Sequence, residues 1–203
     1  AINEGIAFRR EKRIATIPTT GANFSGNTAA LSGSDRWDSG AGGDPIKNIQ
    51  DGMAATWSGR GPGALWGYCS LDVANYLKRH SKVLDLFKYT QPGLVTMDLI
   101  ARAVGLQGIL VGAAREDTAN SGQTASYSRI WGKVFGIVRV AARPNLRNAS
   151  FGYTMRLRGD PVTQQWFDPN AGRSGGYYAK VATSEDHKIV AADTGYLFTT
   201  VIS

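Results

Sequence analysis

The chain has 203 residues, a length that fits one domain or two small interleaved ones. Hydrophobic residues make up 42% of the sequence, which is enough for a packed core and excludes a fully disordered chain. With 23 Lys and Arg residues against 16 Asp and Glu, the net charge is +7, which suits an anionic partner but does not identify a fold.

The first segment, residues 1–17, is predicted to be an amphipathic helix. Its large aliphatic residues recur at helical spacing among basic ones: Ile2, Ile6, Ile14 and Ile17. Pro18 should end the helix at Ile17, because the residue before a proline disfavours the helical region. Since no capping residue precedes Ala1, we expect the natural start of the chain to lie upstream.

Residues 19–43 are rich in Gly, Ser, Asn and Thr and are predicted to form a loop or an extended arm. A loop of this length in a compact domain is usually functional or mobile, and we expect it to be mobile in the isolated chain. Asp44 and Pro45 then predict a helix start, because Asp is a good N-cap and Pro fits the first helical position. This helix should cover residues 45–58 and end in the glycine-rich stretch 59–63.

The middle of the chain is predicted to pair short strands with capped helices. A buried strand at 64–68 leads to Ser70, which should cap a second helix that breaks near Ser81. Thr96 should cap a third helix, 97–104.

Gly105 should close this third helix in a left-handed conformation. Residues 116–128 are predicted to be a polar loop, mobile in the isolated chain. Most of the remaining segments are β-branched or aromatic and are predicted as strands: 109–114, 134–142, 151–158, 165–167, 177–183 and 196–202. Because helices dominate the first half and strands the second, the predicted class is α+β.

Two motifs match catalytic or nucleotide-binding patterns without the structural context that their chemistry needs. Residues 59–64 fit the dinucleotide pattern G-x-G-x-x-A, but that pattern needs a strand before the glycines and a helix after them. Here a helix precedes and a strand follows. Residues 172–176 fit the nucleophile-elbow pattern G-x-S-x-G around Ser174, but a strand follows, and the only downstream histidine is His187. We interpret both motifs as glycine-rich turns.

The other candidates for catalysis or metal binding are interpreted as structural. Cys69 lies in an apolar setting and is predicted to be a buried core residue; a single cysteine allows no internal disulfide and no cysteine-built zinc site. His80 ends a basic helix, where a cation favours the helix dipole. Two pairs of adjacent acids are interpreted as solvated turn residues: Glu116 with Asp117, and Glu185 with Asp186. We therefore predict no enzyme and no cofactor.

One stretch of the sequence points to an anionic partner, and none points to a membrane. The longest apolar run, 108–114, is far shorter than the roughly 20 residues of a membrane helix. Between residues 129 and 158, basic and aromatic residues alternate without any acid, a pattern typical of nucleic-acid surfaces. The alternative is that these cations face solvent from alternate strand positions and pair with carboxylates elsewhere. The basic members are Arg129, Lys133, Arg139, Arg143, Arg147, Arg156 and Arg158.

A series of short motifs follows in a fixed order from residue 37 to the C-terminus. In the first half these are Trp37-Asp38, Asp44-Pro45-Ile46-Lys47-Asn48-Ile49, Gly61-Pro62-Gly63-Ala64-Leu65, Leu77-Lys78-Arg79-His80 and Val83-Leu84-Asp85. In the second half they are Leu99-Ile100-Ala101-Arg102-Ala103-Val104-Gly105-Leu106, Ile109-Leu110-Val111-Gly112, Ile130-Trp131-Gly132 and Ala192-Asp193-Thr194-Gly195-Tyr196-Leu197-Phe198. The ordered set resembles the major capsid proteins of tailed bacteriophages, with the departure that Gly63 stands where that pattern has asparagine.

The resemblance implies the α+β shell fold that tailed-phage capsids share with encapsulins and with the floor of herpesvirus capsids. That fold has a peripheral domain, built on a long spine helix and a sheet, and a compact axial domain. Residues 1–44 would be the end of the spine helix and a peripheral loop, 45–128 the axial domain, 129–183 strands returning to the peripheral domain, and 184–203 the C-terminal strand of the axial domain. The family's N-terminal arm and extended loop would precede residue 1, so we expect a longer subunit.

The function that the resemblance implies is structural: self-assembly into the icosahedral capsid shell that encloses double-stranded DNA. The partners would be copies of the chain in pentamers and hexamers, packaged DNA bound without sequence preference, and scaffold or decoration proteins. The location would be the virion capsid, assembled in the host cytoplasm.

Four cations of the N-terminal helix are the candidate site: Arg9, Arg10, Lys12 and Arg13. In the family this helix lies along the shell wall, so these side chains would face DNA or an acid on a neighbouring subunit. Three alternatives remain open at this point: an encapsulin-type nanocompartment shell, a non-specific nucleic-acid-binding domain, and a serine hydrolase using Ser174.

Overall fold

A computed structural model describes residues 2–39, 42–56, 64–88, 95–143 and 148–203. Within these ranges the chain mixes helices and strands, and the predicted α+β class is confirmed. The helices are α1 Ile2–Thr19, α2 Pro45–Thr56, α3 Leu71–Arg79, α4 Ser81–Phe87 and α5 Met97–Val104. The predicted turn at 59–63 and the last two residues of the predicted helix 45–58 lie outside the described ranges.

Eleven strands are present in the described ranges. They are β1 Thr28–Ala30, β2 Ala64–Ser70, β3 Gly108–Gly112, β4 Arg115–Asp117, β5 Tyr127–Arg129, β6 Phe135–Val140, β7 Gly152–Arg156, β8 Val162–Asp168, β9 Gly176–Ala182, β10 Glu185–Ile189 and β11 Gly195–Thr199.

A mixed five-stranded sheet with the order β1-β11-β6-β2-β3 lies at the centre of the fold. β1 runs parallel to β11 and β2 parallel to β3, while β6 is antiparallel to both of its neighbours. The other six strands form three separate antiparallel pairs: β7 with β10, β4 with β5, and β8 with β9. The central sheet takes strands from all four of the predicted segments, whose domain boundaries stay a prediction.

Buried side chains cover both faces of this sheet, as alternation along a strand requires. Leu65 and Cys69 of β2 belong to the larger cluster, which includes residues of α2, α3 and α5. Tyr68, which lies between them in sequence, belongs to a smaller cluster with Phe24 and Phe151. The ring of Tyr68 lies across β6 where a Cβ at Gly136 would be only 2.0 Å from it, so this position requires glycine.

The helix caps lie where the sequence predicts them, because capping depends on neighbouring residues only. The Asp44 carboxylate accepts a hydrogen bond from the Lys47 amide at 3.0 Å. Ser70 and Thr96 accept from the amides three residues on, each at 3.4 Å. Gly105 follows α5 with φ +88°, the left-handed conformation that glycine adopts without strain.

The N-terminal helix ends two residues later than predicted, at Thr19 instead of Ile17. A proline in the last turn of a helix removes only one backbone donor. Here, two side chains also donate hydrogen bonds to backbone carbonyls of that turn. Asn23 Nδ2 donates to the Ile17 carbonyl at 2.8 Å, and Tyr68 Oη donates to the Pro18 carbonyl at 2.6 Å. These contacts stabilise the last turn, and the prediction from Pro18 alone was wrong.

The polar stretches predicted as mobile loops are anchored within the chain. In 19–43, β1 pairs with β11 and the Trp37 amide donates to the Val201 carbonyl at 2.8 Å. Phe24 is fully buried, so residues of the same chain anchor this stretch, in contrast to the unanchored loop or arm that we expected from its composition. In 116–128, β4 and β5 pair at the two ends.

Strand β10, Glu185–Ile189, was not predicted from the sequence at all.

Candidate functional site

Charged and polar contacts join α1 to the rest of the described chain. Ala15 is its one fully buried residue, and Ile6, Ile14 and Ile17 are half-buried. Arg10 Nε lies 3.0 Å from Glu185 Oε2, and Arg13 Nη2 donates to Glu185 Oε1 at 3.2 Å. Lys12, on the same helix, forms an ion pair with Glu116 of β4. The structure therefore brings Arg10 and Arg13 together on one acid and Lys12 onto another.

Glu185 is the centre of this contact, and its side chain is only 1% exposed. Arg156 Nη2 lies 3.6 Å from its Oε2, and His187 Nε2 lies 3.8 Å from its Oε1. The interpretation of Glu185 as a solvated turn residue was wrong: it begins β10, whose pairing with β7 aligns it with Arg156. Buried carboxylates require such partners, because an isolated buried charge is costly.

Two uncharged donors add to the attachment of α1. Trp131 Nε1 donates to the Glu11 carboxylate at 2.9 Å. The Tyr68 hydroxyl, whose pKa is raised by burial, donates to the carbonyl of Pro18. Sequence reasoning missed Glu185, Trp131 and Tyr68 as partners. The one available signal was the spacing of Arg10 and Arg13, which places both on one face of the helix.

Arg9 differs from the other three candidate cations. Its side chain is exposed, and it forms no ion pair within the part of the chain that the structure describes. It borders a cleft of about 920 Å³ between α1 and the residues around the start of β10, also lined by Lys12 and Arg13. Of the four candidates, Arg9 is therefore the one whose charge no described acid neutralises.

The basic stretch 129–158 is partly neutralised within the chain. Arg129 donates to the two carboxylate oxygens of Asp72 at 3.1 and 3.0 Å, and these hydrogen bonds lower the pKa of Asp72. Arg156 faces Glu185. Arg143 and Arg158 are exposed, and Arg147 lies outside the described residues. The alternative of pairing with carboxylates elsewhere in the chain is thus realised for Arg129 and Arg156.

The sequence candidates for catalysis do not form a catalytic site. Cys69 is fully buried, and burial raises the pKa of its thiol to about 12. Ser174 lies in the turn between β8 and β9, as predicted. His187 Nδ1 lies 2.9 Å from Thr154 Oγ1, and none of the described contacts joins it to Ser174.

His80 was predicted to act as a cation at a helix end, and this prediction was wrong. The residue is 5% exposed, and neither ring nitrogen has a hydrogen-bond partner among the residues that the structure describes. Burial, followed by the nearby ammonium of Lys82, lowers the pKa of the imidazole. His80 is therefore a neutral core residue at the junction of α3 and α4.

Within the described ranges, no group of His, Cys, Asp and Glu side chains could hold a metal ion. The helices in these ranges also include none that is long and apolar enough to span a bilayer.

Two curated relatives match nearly the whole chain, and both are named major capsid protein. The protein of Pseudomonas phage JBD67 is 29% identical over 202 residues, which cover 98% of this chain and 63% of that protein. The protein of Burkholderia phage BcepMu is 28% identical over 204 residues, which cover 96% of this chain and 62% of that protein. The chain thus spans slightly less than two thirds of the length of these relatives.

A solved structure has the same fold. The phage-related protein of Bordetella bronchiseptica RB50 superposes with a TM-score of 0.83 at 26% identity, covering 97% of this chain and 64% of that one. A scan of the chain against protein-family models finds no match. The predicted resemblance to phage major capsid proteins is confirmed by the two curated relatives, over nearly the full length of this chain.

Proposed function

We propose that this chain is the shell-forming part of a phage major capsid protein, located in the virion capsid and acting as a structural protein. The observation that carries the proposal is its end-to-end similarity to two proteins of that name, which aligns at least 96% of its residues. Unrelated folds can share a short motif. The alignments with these two relatives instead cover nearly the whole chain, including all the strands of the central sheet. Encapsulin or enzyme functions gain no support from either relative's name.

The geometry of the chain supports a role in assembly. The ion pairs of Arg10, Lys12 and Arg13 attach α1 to Glu185 and Glu116, which is a structural use of these charges. Several strands lie outside the central sheet as two-stranded pairs with exposed apolar residues. Closed symmetric shells need heterologous contacts, which favour extended edges over one deep pocket.

The finer features of the proposal follow from the family template. Copies of the subunit would form pentamers and hexamers, assemble in the host cytoplasm with scaffold or decoration proteins, and enclose DNA. Residues 1–44 would be the spine helix end and peripheral loop, 45–128 the axial domain, 129–183 peripheral strands and 184–203 the returning axial strand. Arg9 would be the cation of α1 that faces DNA or a neighbouring subunit.

The test is production of the full-length subunit, followed by sedimentation and electron microscopy. We expect closed icosahedral particles and, when they form during phage growth, nuclease-resistant DNA inside them. A full-length subunit that stays monomeric at high concentration, alone and with the phage's other head proteins, would contradict the proposal. Particles that contain a cargo enzyme instead of DNA would favour a nanocompartment.

A further inference from the structure

Three guanidinium groups surround the single carboxylate of Glu185. Nitrogen atoms of Arg10, Arg13 and Arg156 lie 3.0, 3.2 and 3.6 Å from its oxygens, and the three side chains remain 39–57% exposed. One carboxylate compensates one of these charges, so two positive charges remain in excess. Within the described part of the chain, none of the three arginines forms an ion pair with a second acid.

The excess charge lies beside the cleft of about 920 Å³ between α1 and the start of β10, which we call the α1–β10 cleft. Arg13 lines this cleft, and so does Arg9, which has no ion pair with any described acid. Two other charged residues of the lining already have partners. These pairs are Lys12 with Glu116 and Asp186 with Lys188. The cleft therefore presents uncompensated positive charge to an anion outside the described chain.

The other lining residues favour a polypeptide over a nucleic acid. Ile6, Ile17 and Val181 give the cleft an apolar wall beside its cations. A nucleic acid presents mainly phosphates to such a surface, and proteins that bind single strands add aromatic side chains on which the bases stack. The described lining includes no Phe, Tyr or Trp. An extended acidic peptide matches both parts of the cleft, because its carboxylates reach the cations while its aliphatic groups contact the apolar wall.

A copy of this chain does not supply such an acidic segment. The 16 acidic residues of the sequence are dispersed, and two of them are adjacent only at 116–117 and at 185–186. Both of these places already contact α1 of the same chain, through Glu116 and Glu185. The net charge of +7 further disfavours contact between copies at this positive surface and favours an acidic partner.

From the excess of cations and the mixed lining we infer that the α1–β10 cleft binds an extended acidic segment of a second, different protein. The inference rests on the proposed function, in which other head proteins contact the shell subunit, and it names the chemistry of one such contact. Carboxylates of the segment pair with Arg9 and Arg13, while its aliphatic groups pack against Ile6 and Val181. Because the ionic contacts are partly exposed, binding weakens as the salt concentration rises.

The first test measures binding of a fluorescent decaglutamate peptide to the full-length subunit, held below the concentration at which it assembles. Arg9→Gln should weaken binding about two- to fivefold, because one exposed ionic contact is lost. Arg102→Gln is the matched control, since it removes the same charge from an exposed arginine of α5, which packs on the larger cluster at the other face of the central sheet. It should weaken binding less than about 1.5-fold.

The second test fills the cleft without changing its charge. Ala182 is exposed and lines the cleft, so the indole of Ala182→Trp should occupy the space of the peptide and weaken its binding at least about threefold. Ala179 is exposed on the same strand, β9, but is not part of the described lining. Ala179→Trp is therefore the matched control and should bind the peptide like the wild type.

Three results of these tests contradict the inference: no binding of the peptide, equal weakening by Arg9→Gln and Arg102→Gln, and unchanged binding in Ala182→Trp. A short DNA duplex is measured in parallel, and its affinity should not depend on Ala182→Trp. If the affinity for the duplex falls as much as that for the peptide, the cleft binds nucleic acid and the inference is wrong. Thermal unfolding of each variant checks that the fold is intact.

Shell assembly of the full-length subunit distinguishes this inference from the proposed function. If Arg9→Gln prevents empty shells from forming, the cleft binds a neighbouring copy, and the inference is wrong while the proposed function stands. If the peptide binds as expected but the subunit never forms shells, the proposed function fails and the acidic-segment site remains.

Discussion

Two buried titratable side chains, Glu185 and His80, show how surroundings determine what a residue does. The Glu185 carboxylate lies among guanidinium groups of α1 and β7, which compensate its charge. His80 lies at a helix junction, and within the described part of the chain neither of its ring nitrogens has a hydrogen-bond partner. A buried imidazole in that state is more stable neutral, because its charged form would lose hydration without compensation.

We expect His80 to make the fold sensitive to mild acid. Its pKa is lowered in the folded state, so below about pH 6.5 the unfolded chain binds more protons, and stability falls as the pH decreases. His80→Leu should reduce this slope between pH 7 and 5.5 and should not destabilise the fold at pH 7. Urea unfolding of both proteins across this range measures the difference. Parallel curves would contradict the assignment.

The N-cap of α2 allows a matched comparison between two acids of the same region. Asp44→Ala should lower the free energy of unfolding by about 1 kcal/mol, because the Lys47 amide loses its acceptor. Asp51→Ala is the control: its ion pair with Lys47 is exposed on both sides, so its loss should change the free energy of unfolding much less. Equal effects of the two substitutions would show that the cap contributes nothing beyond surface charge.

At the scale of elements, the attachment of α1 depends on Glu185. Glu185→Gln keeps the volume but leaves the guanidinium groups of Arg10 and Arg13 without their anion. We expect a loss of about 1–3 kcal/mol, moderated because both arginines are partly exposed and regain water. Amides of α1 should exchange hydrogen faster while those of α5 change less.

The control for this prediction is Asp186→Asn, next along the strand. Asp186 is 65% exposed and pairs only with Lys188 among its described contacts, so the effect should stay within about 0.5 kcal/mol. Unchanged protection of α1 in Glu185→Gln would mean that apolar contacts, such as those of Ala15, hold the helix instead.

Elements determined by neighbouring residues could be predicted from the sequence, and those determined by distant ones could not. The caps at Asp44, Ser70 and Thr96 involve partners three residues away. The pairing of β1 with β11 joins Thr28 to Leu197, and Glu185 meets Arg10 across an even larger part of the chain. Nothing in a polar stretch such as 19–43 reveals that a strand near the C-terminus will order it.

At the scale of the whole molecule, the ion pairs of the candidate site also join distant residues, so they could not be predicted from the sequence. The sequence identified the four cations of α1 but could not show which of them meet acids of the same chain. The structure pairs Arg10, Lys12 and Arg13 internally, and it leaves Arg9 without a described acidic partner. The four therefore divide into cations that attach α1 and one that is available to another molecule.

This division predicts opposite effects in the full-length subunit. Arg10→Gln with Arg13→Gln should lower the unfolding free energy and slow shell assembly even without DNA, because α1 loses its ionic attachment to Glu185. If Arg9 makes the proposed contact with DNA, Arg9→Gln should leave stability and empty-shell assembly unchanged, yet release DNA from filled shells at lower salt, because that one phosphate contact per copy would be lost. Unfolding midpoints, sedimentation of empty shells and nuclease protection across a salt series distinguish the effects of the double variant from those of Arg9→Gln.

If Arg9→Gln instead prevents empty shells from forming, its guanidinium contacts a neighbouring subunit and not the genome. If the double variant assembles normally and only loses DNA, the intramolecular pairs with Glu185 contribute little, and the arginines act on the packaged DNA.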